Sequence, residues 1–167
     1  RTHAYGTVDN MLLSQDQWRE YVFSLRVTNP ENCGLVFDYS DNQNYGFFYF
    51  KRTPGEVVGG QLIDGKLQNV KAIRYTVPGS FQTVLKKEKS AVDLFVEGQL
   101  LMSVPSREES GKVGLIINTL AKPPTVYHEI TIDGSLGSRE KVLAQVNTPV
   151  SGGALNAFWK FLPAYLI

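Results

Sequence analysis

Side chains able to do acid–base, nucleophilic or metal chemistry are few and scattered in this sequence. His3 and His128 are the only histidines, and Cys33 is the only thiol. A zinc site needs three or four nitrogen and sulfur ligands at close spacing, and no such cluster occurs. His128 lacks the nucleophile-elbow motif that would mark it as part of a Ser-His-Asp arrangement. No P-loop or dinucleotide fingerprint is present, and Gly59-Gly60 sits in a hairpin context instead. Cys33 reads as a small buried hydrophobe, and a lone cysteine rules out an internal disulfide. No residue is assigned a catalytic role, and the chain reads more readily as a binding protein than as an enzyme. The chemistry on offer is recognition. Sugar rings are held by aromatic faces against their C–H surfaces, with charged or amide groups bonding the hydroxyls. Asp38, Tyr45, Tyr49, Lys51, Arg26 and Arg74 are the candidate ligand-binding set. The competing reading places the tyrosines in the core and pairs the ions across strands.

The elements that must position this set centre on Cys33 to Phe50, CGLVFDYSDNQNYGFFYF. It reads as two strands joined by the polar turn Ser40-Asp41-Asn42-Gln43-Asn44. Strict alternation sends Leu35, Phe37 and Tyr39 to one face and Val36, Asp38 and Ser40 to the other. On the second strand, Phe48 and Phe50 are expected in the core. Tyr45, Tyr49 and Lys51 then share an open face with Asp38.

Around this hairpin the chain alternates almost throughout. Residues 3–13 read as an edge strand. In Gln17 to Thr28, the residues Tyr21, Phe23, Leu25 and Val27 form one apolar face, ended by Asn29-Pro30. Asp64-Gly65 between two alternating runs is a strong hairpin signal. Ser80 to Lys89 sets Phe81, Thr83 and Leu85 against Gln82, Val84 and Lys86, and Lys86-Lys87-Glu88-Lys89 reads as a solvated hairpin tip. Ala91 to Val96, Leu100 to Val104, Lys112 to Asn118 and Thr125 to Ile132 supply further strands. Roughly ten short strands with turn signals about every 8–12 residues, and no helix before residue 138, predict an all-β, two-sheet antiparallel jelly-roll sandwich.

The composition shifts near the end. Gly134-Ser135-Leu136-Gly137-Ser138 reads as a break, dividing a sandwich over 1–134 from an extension over 135–167. Within the extension, Ala154, Leu155, Ala157, Phe158, Phe161, Leu162, Tyr165 and Leu166 are spaced mostly three or four apart, a short apolar and possible helical face limited by Pro163. With one lysine and no acidic residue, this segment must pack on the sandwich or on a partner, where it would build an oligomer or an interface. It is too poor in cations for an interfacial membrane helix.

Length and charge set the remaining bounds. At 167 residues the chain forms one domain with a real core. Seventeen basic and sixteen acidic residues leave a net charge of +1, so no field exists to gather nucleic acid. No stretch reaches membrane-spanning length, so membrane insertion is not expected. The first residue is Arg1, which reads as a processed product or an excised piece of a longer protein.

The succession QWREYVFSLRV, CGLVFDYSDNQNYGFFYF, a DG turn, VDLFVEGQLL, SGKVGLIIN and VYHEITI resembles the concanavalin A-like lectin and glucanase modules, and within them the laminin-G-like branch. The resemblance covers about residues 3–133. It implies a jelly roll and a choice of roles. The first is a non-catalytic, lectin-like carbohydrate-binding module of a larger extracellular or periplasmic protein. The alternative is a laminin-G-like protein–protein interaction domain, and the third is a divergent glycan-cleaving enzyme. Some members bind a structural calcium through an aspartate of the final strand. His128 takes that position here, and an imidazole serves a hard cation poorly, so no cofactor is expected and a structural calcium is disfavoured, with Asp9 and Glu129 as the carboxylates that could still contribute to one. The related retaining glucanases carry an E-x-D-x-E strand. The nearest pair here is Asp93 and Glu97, with Glu97 in a turn, which disfavours that chemistry.

Overall fold

Where apolar and polar residues alternate, every second side chain can leave water, and two such sheets gain burial by packing face to face. In the computed structural model, which describes residues 11–107, 109–117 and 123–136, the alternating stretches pair antiparallel throughout. The strands are β1 (Met11–Leu13), β2 (Trp18–Thr28), β3 (Cys33–Asp41), β4 (Asn44–Lys51), β5 (Glu56–Ile63) and β6 (Lys66–Arg74). They continue with β7 (Ser80–Glu88), β8 (Ala91–Val96), β9 (Gln99–Pro105), β10 (Lys112–Ile116) and β11 (Val126–Leu136). A six-stranded sheet runs β1-β10-β3-β4-β5-β6 and a five-stranded sheet runs β11-β2-β7-β8-β9. This is the two-sheet jelly-roll sandwich that the alternation predicts.

The hairpin signals hold in detail. Asp64 and Gly65 both take positive φ, 50° and 78°, and Glu97 and Gly98 repeat the pattern at 50° and 80°. Two consecutive positive-φ residues match the twist of flanking strands, which is why Asp-Gly and Glu-Gly stand there. The expected edge strand over residues 3–13 is present at the sheet edge as Met11–Leu13, and its residues 3–10 lie outside the described part. The last strand continues through Gly134–Leu136, paired with Trp18–Tyr21, although composition alone reads that stretch as a break. The apolar extension lies outside the described residues. No helix among the described residues is long and apolar enough to cross a membrane.

The main core lies between the sheets. Phe23, Leu25, Val27, Phe81, Leu85, Val92 and Leu94 from the five-stranded sheet meet Leu35, Phe37, Phe48, Phe50, Val57, Val113 and Leu115 from the other. The Phe50 and Phe81 rings meet across the layers with centroids 5.0 Å apart. Phe37 lies over Gly46, where an added Cβ would fall 2.2 Å from its ring. Tyr127 of β11 donates its hydroxyl proton to the Ile116 carbonyl, tying the edge of one sheet to the other.

Cys33 is fully buried in this core, and desolvation pushes its thiol from 9.0 to about 12, against the hydrogen bonding of Tyr127 and Thr125. An unfolded thiol ionises near its ordinary value, whereas the folded one keeps its proton. Stability from this group is therefore complete below pH 9.0 and lost as pH rises toward 12. Burial raises Tyr21 and Tyr127 in the same direction. Urea denaturation at stepped alkaline pH should show Cys33→Ala losing stability less steeply than the wild type over that window. Equal slopes would contradict the assignment.

Candidate functional site

Alternation gives the six-stranded sheet a second apolar side, turned away from the sandwich core. Val36, Tyr45, Phe47, Tyr49, Val58 and Ile116 form it, with Met11, Leu13, Tyr39 and Leu62 packed against them. Tyr45 and Tyr49 thus point where the sequence places them, opposite Phe48 and Phe50. Both are nonetheless buried, as is Phe47 between them.

Asp38 departs from the predicted face. The β3–β4 register runs regularly to Phe37 opposite Gly46 and then resumes at Asp41 opposite Asn44, so β3 carries extra residues there. The register with β10 shifts over the same stretch. Asp38 sits at φ 52°, in the left-handed region that aspartate tolerates better than most residues. A bulge re-aims the side chains that follow it. Asp38 turns to the interior and is buried, while Tyr39 moves to the outer face and stacks on Tyr45, with centroids 5.9 Å apart and planes 28° apart.

What receives Asp38 is Lys87 of β7, in the opposite sheet. Lys87 Nζ donates to Asp38 Oδ1 at 2.6 Å and to the Glu109 carbonyl at 2.7 Å. Ser106 Oγ donates to Asp38 Oδ2 at 2.5 Å, and the Arg107 backbone N–H reaches the same oxygen at 3.2 Å. The Arg107 guanidinium in turn donates to the Asp38 carbonyl at 2.7 Å. Tyr21 lies buried close enough for the Asp38 charge to reinforce the upward shift that burial gives its phenol. Lys87 is thus an interior residue, which corrects its reading as part of a solvated tip. Lys86, Glu88 and Lys89 do face water, with Lys86 and Glu88 paired at 2.9 Å.

Beside this buried pair the ends of β3–β4 and β5–β6 enclose a cleft of about 130 Å³, lined by Asp38, Asn44, Tyr45, Gln61, Asp64 and Arg107 together with Gly46, Leu62 and Ile63. Its walls are held by the turns themselves. Asp41 Oδ1 accepts from the Gln43 N–H and the Asn44 amide, which lowers the Asp41 carboxyl below its ordinary value. Asn44 Oδ1 accepts from the Asp64 N–H at 3.0 Å, locking one hairpin end to the other. Gln61, itself buried, accepts from Asn69 at 2.7 Å. Arg107, partly exposed, supplies the cationic wall.

The other sequence candidates fall elsewhere. Lys51 and Arg74 lie in one row across β4, β5 and β6, with Glu56 between them and 3.9 Å from Lys51. That row is at the opposite end of the strands from the cleft. Arg26 is on the outer side of the other sheet, 3.9 Å from Glu129 and 3.4 Å from Ser80 Oγ. Of the six named residues, Asp38 and Tyr45 line the cleft, while Tyr49, Lys51, Arg74 and Arg26 do not. Arg107, Gln61 and Asp64 also line the cleft, and no motif marks them as site residues because only the fold brings them together. Asp93 accepts from Ser103, and Glu97 accepts from the Gln82 N–H at 2.6 Å, so both carboxylates serve strand pairing. His128 bonds Thr28 and neighbours Glu129. Among the described residues no group of three His, Cys, Asp or Glu is placed to hold a metal ion.

No protein-family model and no curated protein matches the sequence. Solved structures do match the fold. The carbohydrate-binding module CBM66 from Bacillus subtilis superposes with a TM-score of 0.63 at 12% identity, over 74% of this chain and 81% of that one. Sheep galectin-11, solved in complex with glycerol, gives 0.55 at 17% identity over 74% and 97%. The Bacillus licheniformis β-glucanase gives 0.50 at 10% identity over 77% and 59%. At these identities the likeness is one of fold alone: the chain shares the two-sheet jelly-roll sandwich of these structures.

Breaking a buried ion pair by removing one partner leaves an uncompensated charge in the interior. Lys87→Met should therefore cost about 3–5 kcal/mol in urea denaturation at neutral pH. A loss below about 1 kcal/mol would show that Asp38 is held well enough by Ser106 and Arg107 alone.

Proposed function

We propose that this chain is a non-catalytic, lectin-like module that binds glycans at the cleft between the β3–β4 and β5–β6 hairpin ends. The observation that supports this reading is the meeting there of an aromatic pair with a polar pocket. Tyr39, partly buried and stacked on Tyr45, offers a ring edge and face beside the cleft. Arg107, Asp64 and Asn44 surround the cleft with donors and acceptors. A sugar ring needs that combination, a flat apolar surface for its C–H face and in-plane polar groups for its hydroxyls.

Two of the carboxylates in this region are committed to internal bonds. Asp38 is held by Lys87, Ser106 and Arg107, and Asp41 by Gln43 and Asn44. That favours holding a glycan over cleaving it. The pocket is smaller than a typical drug-sized site, which suits the end of a glycan or one ring with its neighbours lying outside. The reading carries with it an extracellular or periplasmic setting within a larger protein, where such glycans are displayed.

The test is a glycan array of the full chain, followed by affinity measurements on the glycans that bind. Tyr39→Ala and Arg107→Gln should each weaken binding at least about tenfold, equivalent to about 1.4 kcal/mol. Arg26→Ala and Arg74→Ala, on other surfaces, should leave it unchanged. A silent array, or binding that survives both cleft substitutions, would overturn the reading and favour a laminin-G-like protein-interaction domain.

A further inference from the structure

We infer that the open edge of β6 is a docking strand for an extended, acidic segment of a partner protein, which adds to the six-stranded sheet. β6 ends that sheet and pairs only with β5 among the described residues. Its far side therefore presents backbone N–H and C=O groups with no strand to take them. Of its nine residues all are exposed except Ile73, which is partly buried. The other sheet ends offer less. β1 is three residues long, and β9 already gives its Ser103 carbonyl to Lys71 Nζ at 2.9 Å. β11 shifts register twice, whereas β6 shifts once against β5. That shift is a bulge at Asn69, with φ 55° and its side-chain amide bonded to Gln61 at 2.7 Å.

The side chains of the strand select the partner. KLQNVKAIR carries Lys66, Lys71 and Arg74 and no acidic residue. In register, Glu56 stands opposite Arg74, but Lys71 faces Gly59 and Lys66 faces Ile63. Lys71 is turned to the β9 side, as its bond to Ser103 shows. Leu67 and Val70 lie on the other side, beside Leu62 and Phe47, and are 51% and 43% exposed. Neighbouring residues of a strand alternate, so Lys66 shares the side of Lys71. An incoming strand that alternates carboxylates with apolar side chains meets the lysines on one side and Leu67 and Val70 on the other.

A second copy of this chain fits the edge badly. Antiparallel pairing of β6 with itself about Val70 sets Lys66 against Arg74, and like charges directly opposite are destabilising. Lysines on an edge strand guard a sheet against such self-pairing. The same charges that exclude a copy draw in an acidic strand.

The probe is a synthetic peptide of about ten residues alternating valine and glutamate, added to the full chain. Binding is read by fluorescence anisotropy and its location by NMR hydrogen exchange. The peptide should bind, slow amide exchange in residues 66–74, and weaken at least about tenfold toward the double variant Lys66→Glu, Lys71→Glu. Should that variant fail to fold, Lys66→Gln with Lys71→Gln reads the same effect in the same direction. A valine–lysine peptide should not bind. Equal affinity for a glutamate peptide interrupted by prolines, which cannot add as a strand, would overturn the inference. No binding at millimolar peptide would do the same. So would protection of residues 66–74 by heparin alone, which would assign the strand to a sulfated glycan. Protection that grows with protein concentration in the absence of peptide would assign it to a second copy and also overturn the inference.

Discussion

The pair β3–β4 is buried on both faces, and the rest of the molecule is arranged to satisfy that constraint. One face, Leu35, Phe37, Phe48 and Phe50, meets the opposite sheet. The other, Val36, Tyr45, Phe47 and Tyr49, is closed as well. A strand buried on both sides reads as a continuous apolar run in place of an alternation. The almost wholly aromatic stretch Tyr45 to Phe50 is such a run. A sheet face of this composition left open to water would be a large apolar patch, a hazard in a monomer. With that face buried, the polar groups of the proposed site gather at the ends of the strands, where the hairpins meet.

At one end the two-sided burial is interrupted by the Asp38 bulge. There the chain places a carboxylate between the sheets and answers it with Lys87, Ser106 and the Arg107 backbone. Such a seam is weak as a source of stability, because desolvating both charges offsets much of their attraction. Its value lies in geometry. It fixes the loop after β9 against β3, turns Tyr39 onto the outer face beside Tyr45, and holds Arg107 at the mouth of the cleft. The structural seam and the candidate site thus share residues, and the site inherits the rigidity of the seam.

The sandwich was legible in the sequence because burial enforces period two on every strand. The Asp-Gly and Glu-Gly turns were legible because positive φ selects those residues. The bulge was not. Strict alternation carries Asp38 outward and Tyr39 inward, and one left-handed residue reverses both. A signal did exist in β7, where Phe81, Thr83 and Leu85 point inward and the same parity continues to Lys87. An inward lysine demands a buried carboxylate. Arg107 and Gln61 could not be read as site residues, since neither belongs to a motif and only the packing of distant hairpins brings them to Tyr45.

The functional proposal rests on recognition at the hairpin-end cleft and not on a sheet face. The most direct measurement is an NMR titration of the isotope-labelled full chain with a glycan selected on the array. Binding in the cleft should concentrate the amide shifts in residues 39–46, 61–65 and 105–107. Shifts centred instead on the outer side of the five-stranded sheet, around Arg26, Ser80 and Glu129, or no shifts at saturating glycan, would contradict it.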